Sequence, residues 1–212
     1  MKKANLRVAR IETATQALGP GCRAVVWFHG CSKSCPGCIA REMNQSSDFE
    51  LWTGKGLADF LLGLPNIEGV TLSGGEPFEQ DLEELRELLE ILRKSGELSV
   101  VCYTGNTLEE LETKLDVPLL KSITSNVDLL IDGNYVEELN DGSVWRGSSN
   151  QRFHFLSSRY NHLKEFVDSL KDRKIEVVLD SNSVMRITGI PPADFMRKLN
   201  ASLKERGLEI EM

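Results

Sequence analysis

The chain has 212 residues, a formal net charge of −7 and a sequence pI of about 5.1. That balance argues against a nucleic-acid partner, whose phosphates call for a basic surface, and no run of about eighteen apolar residues marks a membrane span. The length suits one domain, or one domain with an appendage, and five cysteines, an odd number in a chain with no need of disulfide staples, point to a reducing, cytoplasmic setting with thiols used for metal or catalysis.

The start, "MKKANLRVARIETATQ", has no apolar stretch behind its lysines and is not expected to be a secretory signal. Near-continuous apolar runs at Ala24–Phe28, Gly69–Leu72, Leu98–Tyr103 and Val127–Ile131 predict strands buried on both faces. Between them the helical spacing i, i+3, i+4, i+7 recurs at Leu57, Phe60, Leu61 and Leu64, and again at Leu85, Leu88, Leu89 and Leu92. The second set lies on an acidic helix over 79–94 whose outer face is expected to be solvated. Leu108, Leu111 and Leu115 continue the style. Strands alternating with helical crossovers imply parallel pairing and right-handed connections, hence an α/β fold.

The last third reads differently. "YNHLKEFVDSLKDR" predicts a helix with Leu163, Phe166, Val167 and Leu170 on one face. "KIEVVLD" and "VMRITGI" predict two strands around a polar turn. "PPADFMRKLNASLKERG" predicts a helix with a proline start and a glycine stop, carrying Phe195, Met196, Leu199 and Leu203, and "LEIEM" a final short strand. The expected organisation is a core over residues 1–157 and a small α+β appendage over 158–212 packed on it.

The unusual loops all follow predicted strands. "HGCSKSCPGC" places Cys31, Cys35 and Cys38 within eight residues, as C-x3-C-x2-C. "SGGEP" over Ser73–Pro77, "TGN" over Thr104–Asn106 and "DGN" over Asp132–Asn134 come after the next three strands. In parallel sheets such loops share one end, where ligands bind. Three thiolates fall one short of a structural zinc site, unless Cys22 or His29 completes it. They also fall one short of the usual cubane set, which would leave one iron open to a small ligand. Cys102 reads as an apolar filler in its strand. Gly74 and Gly75 strip side chains from a strand end, and Glu76 offers a carboxylate that could receive an ammonium group; the alternative is an ordinary turn with proline near a helix start. In "WRGSSNQR", Trp145 and Arg146 are candidates for partner docking, or Arg146 and Gln151 tie the chain end to the sheet.

These residues resemble the radical S-adenosylmethionine superfamily. "CSKSCPGC" is similar to its three-cysteine signature and "GGEP" to its methionine-amino motif. The ordered set "GPGCRAVVWFHGCSKSCPGC", "LSGGEP", "YTGNTLEEL", "LLIDGNYVEELND" and "WRGSSNQR" resembles, over residues 5–157, the branch of activating proteins of anaerobic ribonucleoside-triphosphate reductase. The pyruvate formate-lyase activating enzymes are a more distant likeness.

The resemblance implies a partial β/α barrel of the radical S-adenosylmethionine type. It implies a four-iron–four-sulfur cluster on Cys31, Cys35 and Cys38, with S-adenosylmethionine on the open iron, cleaved to a 5′-deoxyadenosyl radical. In activating enzymes that radical takes a glycine Cα hydrogen from a glycyl-radical enzyme partner, fed by a flavodoxin- or ferredoxin-type electron donor. Gly74, Gly75 and Glu76 would hold the methionine amino group, and Gly37 and Ile39 would lie near the adenine. Thr104 and Asp132 would reach the ribose or carboxylate. This chain has Ile39 where the branch often carries an aromatic, and its tail from about Ser158 exceeds the compact pattern. A small radical enzyme acting on a small molecule or peptide, and a non-catalytic iron–sulfur or zinc module, are the competing functions.

Overall fold

The structure, a computed structural model, describes residues 4–41, 43, 47–179, 185–192 and 194–207. Its centre is a seven-stranded mixed sheet. The strands are β1 (Leu6–Thr15), β2 (Arg23–Phe28), β3 (Glu50–Trp52), β4 (Gly69–Gly74), β5 (Ser99–Tyr103), β6 (Leu129–Asp132) and β7 (Arg152–Phe155), in the spatial order β3-β1-β2-β4-β5-β6-β7. β2, β4, β5 and β6 are parallel neighbours, and β1, β3 and β7 join antiparallel. The parallel strands are those the apolar runs predict. All six residues of β2 are buried, as a strand covered on both faces requires.

The two faces are covered differently. Ala24, Val26, Phe28, Val70, Leu72, Val100, Cys102 and Leu130 meet two helices, α1 (Gly54–Leu62) and α2 (Leu82–Ser95), through Leu57, Leu61, Leu85, Leu88, Leu89 and Leu92. Two shorter helices follow, α3 (Leu108–Lys114) and α4 (Val117–Thr124), which add Leu111, Leu120 and Ile123. The opposite face is covered by irregular chain. Val25 and Trp27 pack on Ala17, Leu18 and Ala40, while Val101, Leu129 and Ile131 pack on Val144, Tyr160, Leu163 and Val167.

Of the expected α/β partial barrel, the structure shows the α/β class and the run of parallel strands; the sheet is open, with β3 and β7 as its two edges, and does not close into a barrel. Three expectations are corrected. α1 ends at Leu62, where Gly63 donates back to the Asp59 and Phe60 carbonyls, so Leu64 lies beyond it and Phe60 points outward. Residues 158–170 form two 3-10 turns, Ser158–Leu163 and Val167–Ser169, instead of a helix. Tertiary bonds outweigh the periodicity there. The Tyr160 hydroxyl is drawn to Arg23 Nη1 at 3.0 Å and Ser99 Oγ at 2.6 Å, and its backbone leaves helical geometry at φ −113°. The acidic helix begins at Leu82 because Asp81 caps the Glu83 and Glu84 amides.

Beyond residue 170, β8 (Ile175–Leu179) and β9 (Met185–Gly189) pair as a separate antiparallel hairpin, followed by α5 (Phe195–Lys204). Ile190 packs beside Ala17 and Trp27, and Arg173 donates to the Ser143 and Arg146 carbonyls. On α5, Phe195, Met196, Leu199 and Leu203 are half-buried. The predicted turn over 181–183, residues 180 and 184 of the predicted strands beside it, and the predicted final strand lie outside the described residues. Among the described residues no helix is long and apolar enough to cross a membrane.

Candidate metal centre and ligand site at the strand ends

β2 ends at Phe28, which pairs with Gly74 at the end of β4, so the cysteine loop and "GGEP" start side by side. The loop leaves through Gly30 at φ +90° and holds Ser34 and Gly37 in left-handed backbone. Cys31, Cys35 and Cys38 are free and half-buried. The Ser32 amide donates to Glu79 Oε2 at 3.0 Å, its hydroxyl bonds the other oxygen, and Ala40 anchors the loop's end among Val25 and Trp27. Backbone N–H groups of Lys33 and Ser34 face the Cys31 sulfur and that of Ala40 faces Cys38. Burial pushes both thiols up, and Glu76 and Glu79 push Cys31 further.

The donor set fits a cubane better than one metal ion. Cys22 precedes β2, six residues and roughly 20 Å of extended chain from the loop, and cannot complete a zinc site there. The His29 ring stacks on Phe49 with centroids 4.6 Å apart. Among the described residues no three His, Cys, Asp or Glu side chains converge where a single ion could sit. A cubane takes its thiolates one per iron, spread over its corners. Cys102 lies in the helix-facing core, its thiol pushed far up by burial, as the filler reading expects.

The glycines of "SGGEP" meet backbone. A Cβ on Gly75 would stand 2.2 Å from the Gly30 carbonyl oxygen, and one on Gly74 2.6 Å from the Phe28 nitrogen. The Gly75 and Glu76 amides donate to the Phe28 and Gly30 carbonyls at 2.7 and 2.8 Å. The bare positions thus let the end of β4 dock on the chain entering the cysteine loop. Glu76 is 1% exposed. Its Oε1 accepts from the Thr104 hydroxyl at 2.8 Å and the Phe78 amide at 3.1 Å; its Oε2 accepts from the Gly105 amide at 2.8 Å. Burial pushes this carboxyl up, and the three donors oppose that shift. One acceptor position remains on Oε2, since an ionised carboxylate offers about four.

Thr104 is therefore spent on orienting Glu76 and on the Asn106 amide. The Gly133 amide donates to the Asn106 carbonyl at 3.0 Å, which links the loops after β5 and β6. Asp132 faces elsewhere. It is buried, takes Arg152 Nε at 2.9 Å and Nη2 at 2.5 Å, caps α3 through the Leu108 amide at 2.8 Å, and has His154 Nε2 at 2.9 Å. Burial works against its charge, but those partners hold its pKa below the ordinary value. Gly37 lies against the Glu137 carboxylate, and Ile39 is 43% exposed at the rim. Arg146 is buried, donating to the Gln151 carbonyl and to Asp168, while Gln151 bonds the Gly147 amide and the Gly133 carbonyl. These two side chains tie the chain end to the sheet.

The structure so brings Cys31, Glu76 and Thr104 together and leaves Asp132 in a separate network. Sequence reasoning missed Gly105, Lys33 and Arg152. Gly105, inside "TGN", carried a signal as a glycine at a strand end; Arg152 carried none, because its partners lie 20 and 43 residues away.

Residues 17–154 match the family described as a 4Fe-4S single cluster domain, which places the chain in that iron–sulfur class. The anaerobic ribonucleoside-triphosphate reductase-activating protein of Enterobacteria phage T4 is 33% identical over 138 residues, 63% of this chain and 84% of that protein. Its counterpart from Escherichia coli K12 is 30% identical over 146 residues, 65% of this chain and 91% of that one. The chain belongs to this family of activating proteins. Among solved structures, QueE from Escherichia coli aligns with a TM-score of 0.40 at 17% identity, over 50% of this chain and 55% of that one.

Proposed function

We propose that this chain installs a glycyl radical on a partner anaerobic ribonucleoside-triphosphate reductase. In this reading Cys31, Cys35 and Cys38 hold a four-iron–four-sulfur cluster with one iron open, and S-adenosylmethionine docks there. The observation that carries it is the junction of Gly30, Gly75, Glu76 and Gly105, which seats a carboxylate with one unused acceptor position beside the cysteine loop. When bound, the cluster would relay one electron from an outside donor to the sulfonium of S-adenosylmethionine, which would part into methionine and a 5′-deoxyadenosyl group able to take a glycine Cα hydrogen and leave as 5′-deoxyadenosine.

The chain's own residues bind and orient. Glu76 Oε2 receives the ligand's ammonium, and Thr104 and Gly105 hold Glu76 in place for it. The Lys33 and Ser34 amides favour the thiolate form of Cys31 against its burial. Gly37 makes room for the Glu137 carboxylate beside Cys38, and Ile39 offers an apolar flank for the adenine. A flavodoxin- or ferredoxin-type protein supplies the electron. The test mixes anaerobically reconstituted protein, S-adenosylmethionine, a strong reductant and an anaerobic reductase carrying its glycyl-radical loop. A glycyl doublet in the electron paramagnetic resonance spectrum supports the reading. Formation of 5′-deoxyadenosine without that doublet returns the weight to a small-molecule or peptide substrate.

A further inference from the structure

Lys33 stands inside the cysteine loop, between Cys31 and Cys35, and its side chain has no part in the roles above. Its stem lies on the bare face of Gly105. A Cβ built there would meet Lys33 Cδ at 2.6 Å and Cε at 3.3 Å, with Glu76 Oε2 3.6 Å from the same point. The carbon that carries the ammonium and a buried carboxylate oxygen thus flank one position beside the cysteine loop. The ion pair that Lys33 makes is loose: Glu110 Oε2 lies 3.4 Å away and that side chain is 47% exposed. Glu110 has its own task, closing the capping box of α3 with Thr107. Lys33 can leave it without opening the helix.

We infer that Lys33 reads the α-carboxylate of the ligand's amino-acid end, an inference that rests on the function proposed above. An α-amino acid carries an ammonium and a carboxylate on one carbon, so its site needs an acceptor and a cation a few ångströms apart. Glu76 Oε2 supplies the first and Lys33 Nζ the second. Gly105 keeps them close, because any side chain there would displace the lysine stem.

Full-length protein, reconstituted without oxygen, is compared with Lys33→Met, Lys33→Arg and Glu110→Gln. Iron content is measured, and S-adenosylmethionine and its decarboxylated analogue are titrated by calorimetry. Lys33→Met should keep its iron, bind S-adenosylmethionine about tenfold to a hundredfold more weakly and bind the decarboxylated analogue as before. Lys33→Arg should retain most of the affinity. Glu110→Gln keeps the cap acceptor and should bind at least as tightly as wild type. Equal weakening of both ligands in Lys33→Met, or a Glu110→Gln protein that behaves like it, would mean that Lys33 only ties the loop. Should Lys33→Met lose its iron, the other two variants decide: normal affinity in both supports the inference, and loss in either overturns it. Iron-loaded wild type that binds neither ligand overturns the proposed function itself.

Discussion

The Gly105 amide donates to Glu76 Oε2 at 2.8 Å across 29 residues of chain, and the Thr104 hydroxyl reaches Oε1 of the same carboxylate at 2.8 Å. With the Glu76 amide on the Gly30 carbonyl, one residue joins the loops after β2, β4 and β5. These are the loops that the proposed ligand must touch.

Replacing Glu76 by Ala strips two buried donors and one half-buried donor of their acceptor and removes the carboxylate. The cysteines keep their own anchors at Ser32 and Ala40, so the cluster should still assemble. Affinity for S-adenosylmethionine should fall about tenfold to a hundredfold, the usual cost of a charge-assisted hydrogen bond. Calorimetric titration of the iron-loaded variant checks this, and undiminished affinity would remove Glu76 from the site.

Much of this junction was legible in the sequence, and the limits are physical. Apolar runs located the four parallel strands, because a strand covered on both faces has to be apolar throughout. Parallel order then brought four odd loops to one end. The reason for the glycines was not legible: Gly74 and Gly75 read as room for a ligand, whereas their missing side chains are matched by the Phe28 and Gly30 backbone. Asp132 read as a ligand contact, but the carboxylate's partner, Arg152, comes from an edge strand with too little apolar pattern to announce itself. The segment after Ser157 has helical spacing, yet a single tyrosine hydroxyl seeking Arg23 outweighs it.

The cysteine assignment predicts colour and stoichiometry. Protein purified without oxygen should be brown and carry about four irons and four sulfides per chain. Cys31→Ala, Cys35→Ala or Cys38→Ala should each bleach it. Cys102→Ala should not, since that thiol lies in the helix-facing core. Stoichiometric zinc without iron after reconstitution would defeat the assignment.

The Arg152 network predicts a pH dependence. Arg152 bonds both Asp132 and Glu109. Asp132 is held below its ordinary pKa, and Arg152's hydrogen bonds take Glu109 down to about 2. Depressed carboxylates bind fewer protons in the native state than in the unfolded chain. Their contribution is therefore present above the ordinary carboxyl range, about 4, and is lost as pH falls through the native values. Arg152→Gln should destabilise the protein by about 1–3 kcal/mol at pH 7, chiefly through the buried Asp132. The gap to wild type should close as pH falls from about 4 towards 2. Urea unfolding at a series of pH values measures it, and a gap that stays constant would show that the pairs contribute nothing specific.

The tail offers two cuts with opposite expectations. Ending the chain after Leu156 removes Tyr160, Leu163 and Val167, which cover Val101, Leu129 and Ile131, and leaves the wholly buried Arg23 without the Tyr160 hydroxyl. Large apolar truncations in a core cost about 2–5 kcal/mol each, so this protein should fail to fold stably. Ending it after Leu170 keeps those residues and removes residues 171–174, the hairpin and α5, whose attachments among the described residues include Ile190, the Lys171–Asp141 pair and hydrogen bonds of Arg173, Lys174 and Glu176. That shorter chain should fold, load iron and cleave S-adenosylmethionine, because every residue of the proposed site lies upstream. Val177, Val178 and Leu179 stand exposed on the hairpin, and the tail lies beyond the stretch that matches the family, which ends at residue 154. If the hairpin and α5 steer the substrate, the chain ending at Leu170 should form more 5′-deoxyadenosine per glycyl radical than the full-length protein. That ratio is measured by chromatography and spin counting on the same samples. An unchanged ratio in a folded, iron-loaded protein would reduce the hairpin and α5 to structural cover.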